Sequence, residues 1–173
     1  MAPGPVLLPL TTWTEEHISA IYNATTTADL DASLDAFLTK HAHITVNGKH
    51  LSREGYKALL AAEKANELNA RVTFGGAIFV PSNSEKPADA GTVGLIFTAA
   101  ITTHIIKPST ISASLNVTVI QDQHFNAPNE PVVFDKRRVS ALNQILVDRP
   151  DDTGVQPGIV TNAAYSQGHY GAM

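Results

Sequence analysis

The second half of this chain contains runs of β-branched and aromatic residues that are too long to lie flat in a domain of its size. Residues 68–80, 92–106, 111–120 and 132–147 all read as strands bounded by turn chemistry. A fully extended strand over residues 92–106 would span about 50 Å, more than the width of a 173-residue globule. The strands must therefore curl, and their consecutive order makes them a strongly curved antiparallel meander. Gly75-Gly76 interrupts the first strand, where a bulge or sharp bend is expected, and Pro81 ends it. Residues 82–91 and 121–131 are polar loops, and Lys107-Pro108-Ser109 closes a hairpin.

The first third has a helical period instead. Thr12 with Glu15 matches a capping box, and residues 13–24 carry an apolar stripe that includes Ile18, Ile21 and Tyr22. Thr26 with Asp29 repeats the signal ahead of Leu30, Leu34, Phe37 and Leu38, which predicts a second helix ending near Lys40. Residues 42–67 then join the two regimes. Ile44 and Val46 mark a short strand, Asn47-Gly48 a two-residue reversal, and Ser52 the cap of an amphipathic third helix. Tyr56, Leu59 and Leu60 form the apolar face of that helix, with Lys57, Glu63, Lys64 and Glu67 expected to face water. The resulting organisation is an arm over residues 1–12, one domain over 13–147 and a Pro/Gly-rich flexible tail over 148–173.

Helices followed by a curled antiparallel sheet make an α+β architecture with the helices packed on one face. Charge narrows the partners: a net charge of −4 gives no pull toward phosphate backbones or anionic lipid, so neither nucleic acid nor membrane is expected. The absence of cysteine removes disulfide scaffolds, thiolate zinc sites and cysteine nucleophiles together. The apolar run Val6–Leu10 is too short and too proline-rich for a signal-peptide core, and the expected location is cytoplasmic. No phosphate-cradling glycine loop, nucleophile elbow or H-E-x-x-H motif is present, so no cofactor is expected.

The order of helical hairpin, strand ending ITVNG, helix LSREGYKALL and long strands closing on RRVSALNQILVD resembles the NTF2-like superfamily, and within it the SnoaL-like group, over residues 13–147. The resemblance implies a cone-shaped fold with a cavity between helices and concave sheet, and dimerisation through the outer sheet face. The superfamily holds isomerases, dehydratases, cyclases and epoxide hydrolases as well as non-catalytic binders. The resemblance alone therefore leaves the activity open.

The residues offer two readings. In the first, a homodimer binds a small apolar molecule between helices and sheet, with Ile18, Phe37, Tyr56, Phe97, Asn116 and Asn143 as ligand-binding residues. In the second, Tyr22 and His104 act as an acid/base pair in a cofactor-independent isomerase, dehydratase or cyclase. Tyr22 resembles in its place the catalytic tyrosine of scytalone dehydratase and ketosteroid isomerase relatives, although Asn23 stands where the dehydratase pattern has aspartate. A core tyrosine bonded to a backbone carbonyl is the competing reading of Tyr22, and an exposed strand-end histidine that of His104. Asn116 and Asn143, in apolar strands, are cross-strand partners or pocket donors. A scarcity of buried carboxylates favours the binder. His41 and His43 share a strand face but lack further ligands, so no metal is expected. Asp31 and Asp35 read as a solvated helix face, and Lys136-Arg137-Arg138 as a solvated strand end.

Overall fold

The computed structural model describes residues 7–63, 67–103, 109–123 and 135–150. Helices α1 (Leu10–Asn23), α2 (Thr27–Phe37) and α3 (Arg53–Glu63) combine with strands β1 (Leu38–Val46), β2 (Lys49–Leu51), β3 (Glu67–Pro81), β4 (Gly91–Thr103), β5 (Ser109–Gln121) and β6 (Arg137–Pro150). The fold class is α+β, as expected. No helix among the described residues is long and apolar enough to cross a membrane.

Local signals set most of the element ends. The Thr26–Asp29 capping box forms in both directions, with Asp29 N–H donating to Thr26 Oγ1 at 3.0 Å and Thr26 N–H to the Asp29 carboxylate at 3.2 Å. Ser52 Oγ accepts from Gly55 N–H at 3.0 Å and so caps α3. Asn47 and Gly48 both take positive φ, 50° and 77°, as a reversal between β1 and β2 requires. Asn47 also clamps the neighbouring strand, donating to Leu146 O at 3.0 Å and accepting from Leu146 N–H at 2.8 Å. The Thr12–Glu15 box is not used: α1 starts at Leu10, capped by Pro9 without a side-chain bond. Burying both Leu10 and Trp13 in the core draws the extra turn into the helix, and Thr12 is already inside it. Helix α2 likewise stops at Phe37, because residues 38–41 join β1 instead.

The sheet order is β2-β1-β6-β5-β4-β3. Strands β3 to β6 form the expected meander, with the register shifting between Phe74 and Gly76 where Gly75-Gly76 marked a bulge. The sheet is mixed rather than purely antiparallel. Strand β6 leaves one edge of the meander open, and β1 covers it in parallel register, Ile44 beside Leu142 and Thr45 beside Asn143. The sheet stays open, with β2 and β3 at its edges.

One face of the sheet is buried against the helices, through Val93, Leu95, Phe97, Ala99 and Ile101 on β4, Ile111, Leu115, Val117 and Val119 on β5, and Val139, Leu142 and Gln144 on β6. That alternation identifies the inner face, which sequence alone left ambiguous. The outer face carries Ile78, Ile96, Asn116, Asn143 and Ile145, all exposed.

Of Lys136-Arg137-Arg138, Lys136 is exposed but the two arginines do not end in solvent. Arg137 is 1% and Arg138 4% exposed. The Arg137 guanidinium forks onto the Asp135 carboxylate, donates to Leu8 O at 2.7 Å and Ala88 O at 3.1 Å, and lies 5.3 Å from the Trp13 ring centroid. Arg138 donates to Asp35 O, Asp135 O and Arg137 O. Burial would raise the Asp135 carboxyl, but hydrogen bonds from Arg137 and the two guanidinium charges hold it below its ordinary value. Asp31 and Asp35 keep exposed carboxylates but pair with Lys57 and Arg53 of α3, which ties α2 to α3.

Candidate functional site

Tyr56, Leu60 and Glu63 follow one another at helical spacing along α3, so all three side chains fall on one stripe. Tyr56 and Leu60 are buried, and Glu63 at the end of the stripe is half-buried, with its carboxylate turned toward them. This corrects the expectation that Glu63 faces water. Lys57 reaches Asp31 instead, while Lys64 and the Glu67 side chain lie outside the described residues.

Opposite that stripe stand Tyr22 from the buried face of α1 and Gln144 from the inner face of β6. The Tyr22 hydroxyl donates to Glu63 Oε2 at 3.3 Å, and the Tyr56 hydroxyl donates to Gln144 Oε1 at 2.9 Å. Gln144 lies close enough to Tyr22 to act slightly against the upward shift of that phenol. Two donor–acceptor pairs thus stand side by side, Tyr22 with Glu63 and Tyr56 with Gln144. Phe97 of β4 stands edge-on to Tyr22, ring centroids 5.5 Å apart.

Burial sets the electrostatics of this cluster. It pushes both phenols up, Tyr22 and Tyr56 alike, with the Glu63 charge adding to the shift. Burial also raises the Glu63 carboxyl to about 7; the Tyr22 hydrogen bond opposes this and the charge of Asp148 adds to it. Asp148 is exposed and falls two steps of strand alternation beyond Gln144 on the same face of β6, so it marks the solvent side of the site. Among the described residues, Glu63 Oε1 is the one buried side-chain nitrogen or oxygen without a hydrogen-bond partner. The group is poised to take or give a proton near neutral pH.

The other site residues expected from sequence are dispersed. Tyr22, Tyr56 and Phe97 meet at this cluster. Ile18 is in the core, and Phe37 belongs to a separate aromatic group, stacked on His17 at 5.6 Å with Trp13 at 5.7 Å. His17 is lowered to about 4, by burial first and then by the charge of Arg138. Asn116 and Asn143 lie side by side in register on the outer face, away from Tyr22. They line a shallow hollow of about 410 Å³ with His43 and Thr45, beside a second of about 430 Å³ over Ile78 and Ile96. His104 lies outside the described residues. His43 stacks on His50 with ring centroids 4.6 Å apart, and no group of three or more metal-ligating side chains occurs among the described residues. Glu63 and Gln144 are the site residues that sequence reasoning missed.

No family model matches the chain, and no curated protein matches it in sequence. Solved structures do match in fold. A protein from Kribbella flavida aligns with a TM-score of 0.56 at 11% identity, covering 81% of this chain and 90% of that one. A candidate scytalone dehydratase from Novosphingobium aromaticivorans aligns with a TM-score of 0.55 at 9% identity, over 81% and 85%. Nuclear transport factor 2 from Cryptosporidium parvum aligns with a TM-score of 0.50 at 10% identity, over 82% and 98%. At such identities the likeness is one of fold.

Proposed function

We propose that this chain, whose fold is that of the NTF2-like superfamily, is a cofactor-independent proton-transfer enzyme of the isomerase, dehydratase or cyclase kind, acting on a small, largely apolar molecule. Glu63 is the acid/base group. Tyr22 holds its Oε2 and fixes its orientation, while Tyr56 and Gln144 bond to each other beside it. The observation that carries this reading is the buried carboxylate with one oxygen engaged and the other unpartnered. A residue buried only for stability would have both oxygens satisfied. A carboxyl near 7 is also where a general base works best at neutral pH. Against the scarcity of buried carboxylates that favoured a non-catalytic binder, Glu63 supplies one largely enclosed carboxylate, which supports this reading. The name of one fold neighbour as a candidate dehydratase is compatible with this chemistry.

The test is deuterium exchange from D₂O into a panel of small apolar ketones and β-hydroxyketones, read by mass spectrometry. Exchange by the wild-type protein should fall by about 10²–10⁴-fold in Glu63→Gln, and Tyr22→Phe should lower it less. Equal exchange in wild type and Glu63→Gln would remove Glu63 from the reaction. Binding without exchange throughout the panel would leave the non-catalytic binder as the function.

The same reading includes a homodimer. The outer sheet face exposes Ile78 at 78%, Val80 at 71% and Ile145 at 62%, a density of apolar surface suited to a second copy. Sedimentation should give a dimer for the wild type and a monomer for Ile78→Glu combined with Ile145→Glu. A monomeric wild type would refute the pairing.

A further inference from the structure

We propose that Asn47-Gly48 is a site of spontaneous deamidation which the fold latches shut, and that the product of the reaction cannot restore the contact between β1 and β6. The inference stands on the β1–β2 turn and is independent of the chemistry assigned to Glu63.

The reactive dipeptide is a requirement of the turn. Asn47 is the one asparagine in the sequence that precedes a glycine. Both residues take positive φ, 50° and 77°, which is why the reversal between β1 and β2 uses this pair. Both are exposed, and no atom beyond the adjoining residues lies within 4 Å of where a Gly48 Cβ would stand. The Gly48 nitrogen is therefore unshielded, and its backbone is free to follow a ring closure. In that closure the Gly48 amide nitrogen gives its proton to base and bonds to Asn47 Cγ. The Cγ–Nδ2 bond breaks, and Nδ2 leaves as ammonia after taking a proton from water. Water then opens the resulting succinimide, at Cγ to give aspartate or at the main-chain carbonyl to give isoaspartate. Nothing is oxidised or reduced: water enters and ammonia leaves.

Three bonds to β6 oppose this. Asn47 N–H donates to Gln144 O at 2.9 Å, Nδ2 donates to Leu146 O at 3.0 Å, and Oδ1 accepts from Leu146 N–H at 2.8 Å. The parallel register of β1 with β6 ends at Val46 beside Gln144. Beyond it the Asn47 carboxamide takes the place of a further peptide group and meets both backbone polar groups of Leu146, a buried residue. Ring closure has to draw Cγ away from β6 onto the Gly48 nitrogen, and the departing atom is the one that holds Leu146 O. Reaction thus waits on local opening of the turn. Afterwards a carboxylate stands at position 47. In the aspartate form it still accepts from Leu146 N–H, but it brings no donor and sets a negative charge against the Leu146 carbonyl. In the isoaspartate form the carboxylate sits directly on Cα and falls short of Leu146.

Peptide mapping of the full chain aged in mildly alkaline buffer tests the latch. Aspartate and isoaspartate at position 47 should accumulate in the folded protein about tenfold more slowly, or slower still, than in the same protein held in denaturing urea. Equal rates in the two states, or no product at position 47 in urea, overturn the inference. The lost contact is tested by amide hydrogen exchange, read by NMR, on aged protein resolved from fresh by its added negative charge. Asn47→Asp gives the same comparison without ageing at other asparagines. In both materials the amides of residues 44–47 and 146 should exchange about tenfold faster than in the fresh wild type, while those of Val93 and Phe97, buried on β4, keep their rates. Unchanged exchange at residues 44–47 and 146 refutes the loss of contact. A rise that includes Val93 and Phe97 equally would mean general loosening and overturn the local assignment.

Discussion

Glu63→Gln removes a charge while keeping size, and its effect on stability should depend on pH in a direction fixed by the raised carboxyl. In the folded chain Glu63 titrates at about 7, because burial disfavours the anion, against 4.5 for an ordinary glutamate. Below the unfolded value both states hold the proton, and the stability linked to Glu63 is fully present. As pH rises through 4.5 toward about 7, the unfolded chain releases its proton first and the folded state loses ground; above about pH 8 the loss is complete. The separation of the two values corresponds to roughly 3 kcal/mol. Glutamine has no such titration. Wild type and variant should therefore be close in stability near pH 4, and the variant should be more stable by roughly 2–3 kcal/mol at about pH 8. Urea unfolding followed by the fluorescence of Trp13, the single tryptophan and a buried one, gives the free energy at each pH. A difference between the two proteins that does not change with pH, or that moves in favour of the wild type as pH rises, would show that the carboxyl is not raised. The acid/base role would fall with it.

Two further perturbations address the opposite end of the helices. His17, lowered from 6.5 to about 4 by burial and the neighbouring Arg138, contributes stability that is present above 6.5 and lost as pH falls through about 4. His17→Phe should therefore flatten the acid limb of the stability profile by up to roughly 3 kcal/mol, measured by the same urea series; an unchanged acid limb would refute it. Arg137→Met leaves Asp135 and the carbonyls of Leu8 and Ala88 without their donor, and should destabilise by about 3–5 kcal/mol. Arg137→Lys should recover little of this, since an ammonium cannot reproduce the fork. Full recovery in the lysine variant would mean that charge alone matters there.

Features decided by one or two adjacent residues were legible in the sequence. Asn47-Gly48, the Thr26–Asp29 box, the Ser52 cap and the Gly75-Gly76 bulge each follow from local backbone or side-chain chemistry, and each forms. Pairing across the chain was not legible in the same way. Nothing in residues 38–46 announces that β6 will lie parallel beside them, because β1 is chosen by the open edge that the meander leaves. Glu63 was misread for a related reason. Its charge assigned it to water, whereas its spacing from Tyr56 and Leu60 already placed it on the buried stripe; the period was the better guide, and it was available.

The same contrast separates the two polar clusters that the sequence assigned to solvent. At Arg137 and Arg138 the buried charges are met by the Asp135 carboxylate and by carbonyls of Leu8, Ala88 and Asp35, contributed from distant parts of the chain. Every such contact holds an element in place, and the arginines thereby anchor the start of α1 and the end of α2 to β6. At Glu63 the chain supplies a donor to one carboxylate oxygen and none, among the described residues, to the other. Leaving a buried acceptor unmet costs about 1–3 kcal/mol, a penalty that packing could have removed by turning the side chain outward at the end of its helix. The fold retains this penalty beside two buried phenols, with burial holding the carboxyl near neutrality. Satisfied burial thus marks the arginine end as structural, and unsatisfied burial marks the Glu63 end as the place to look for chemistry.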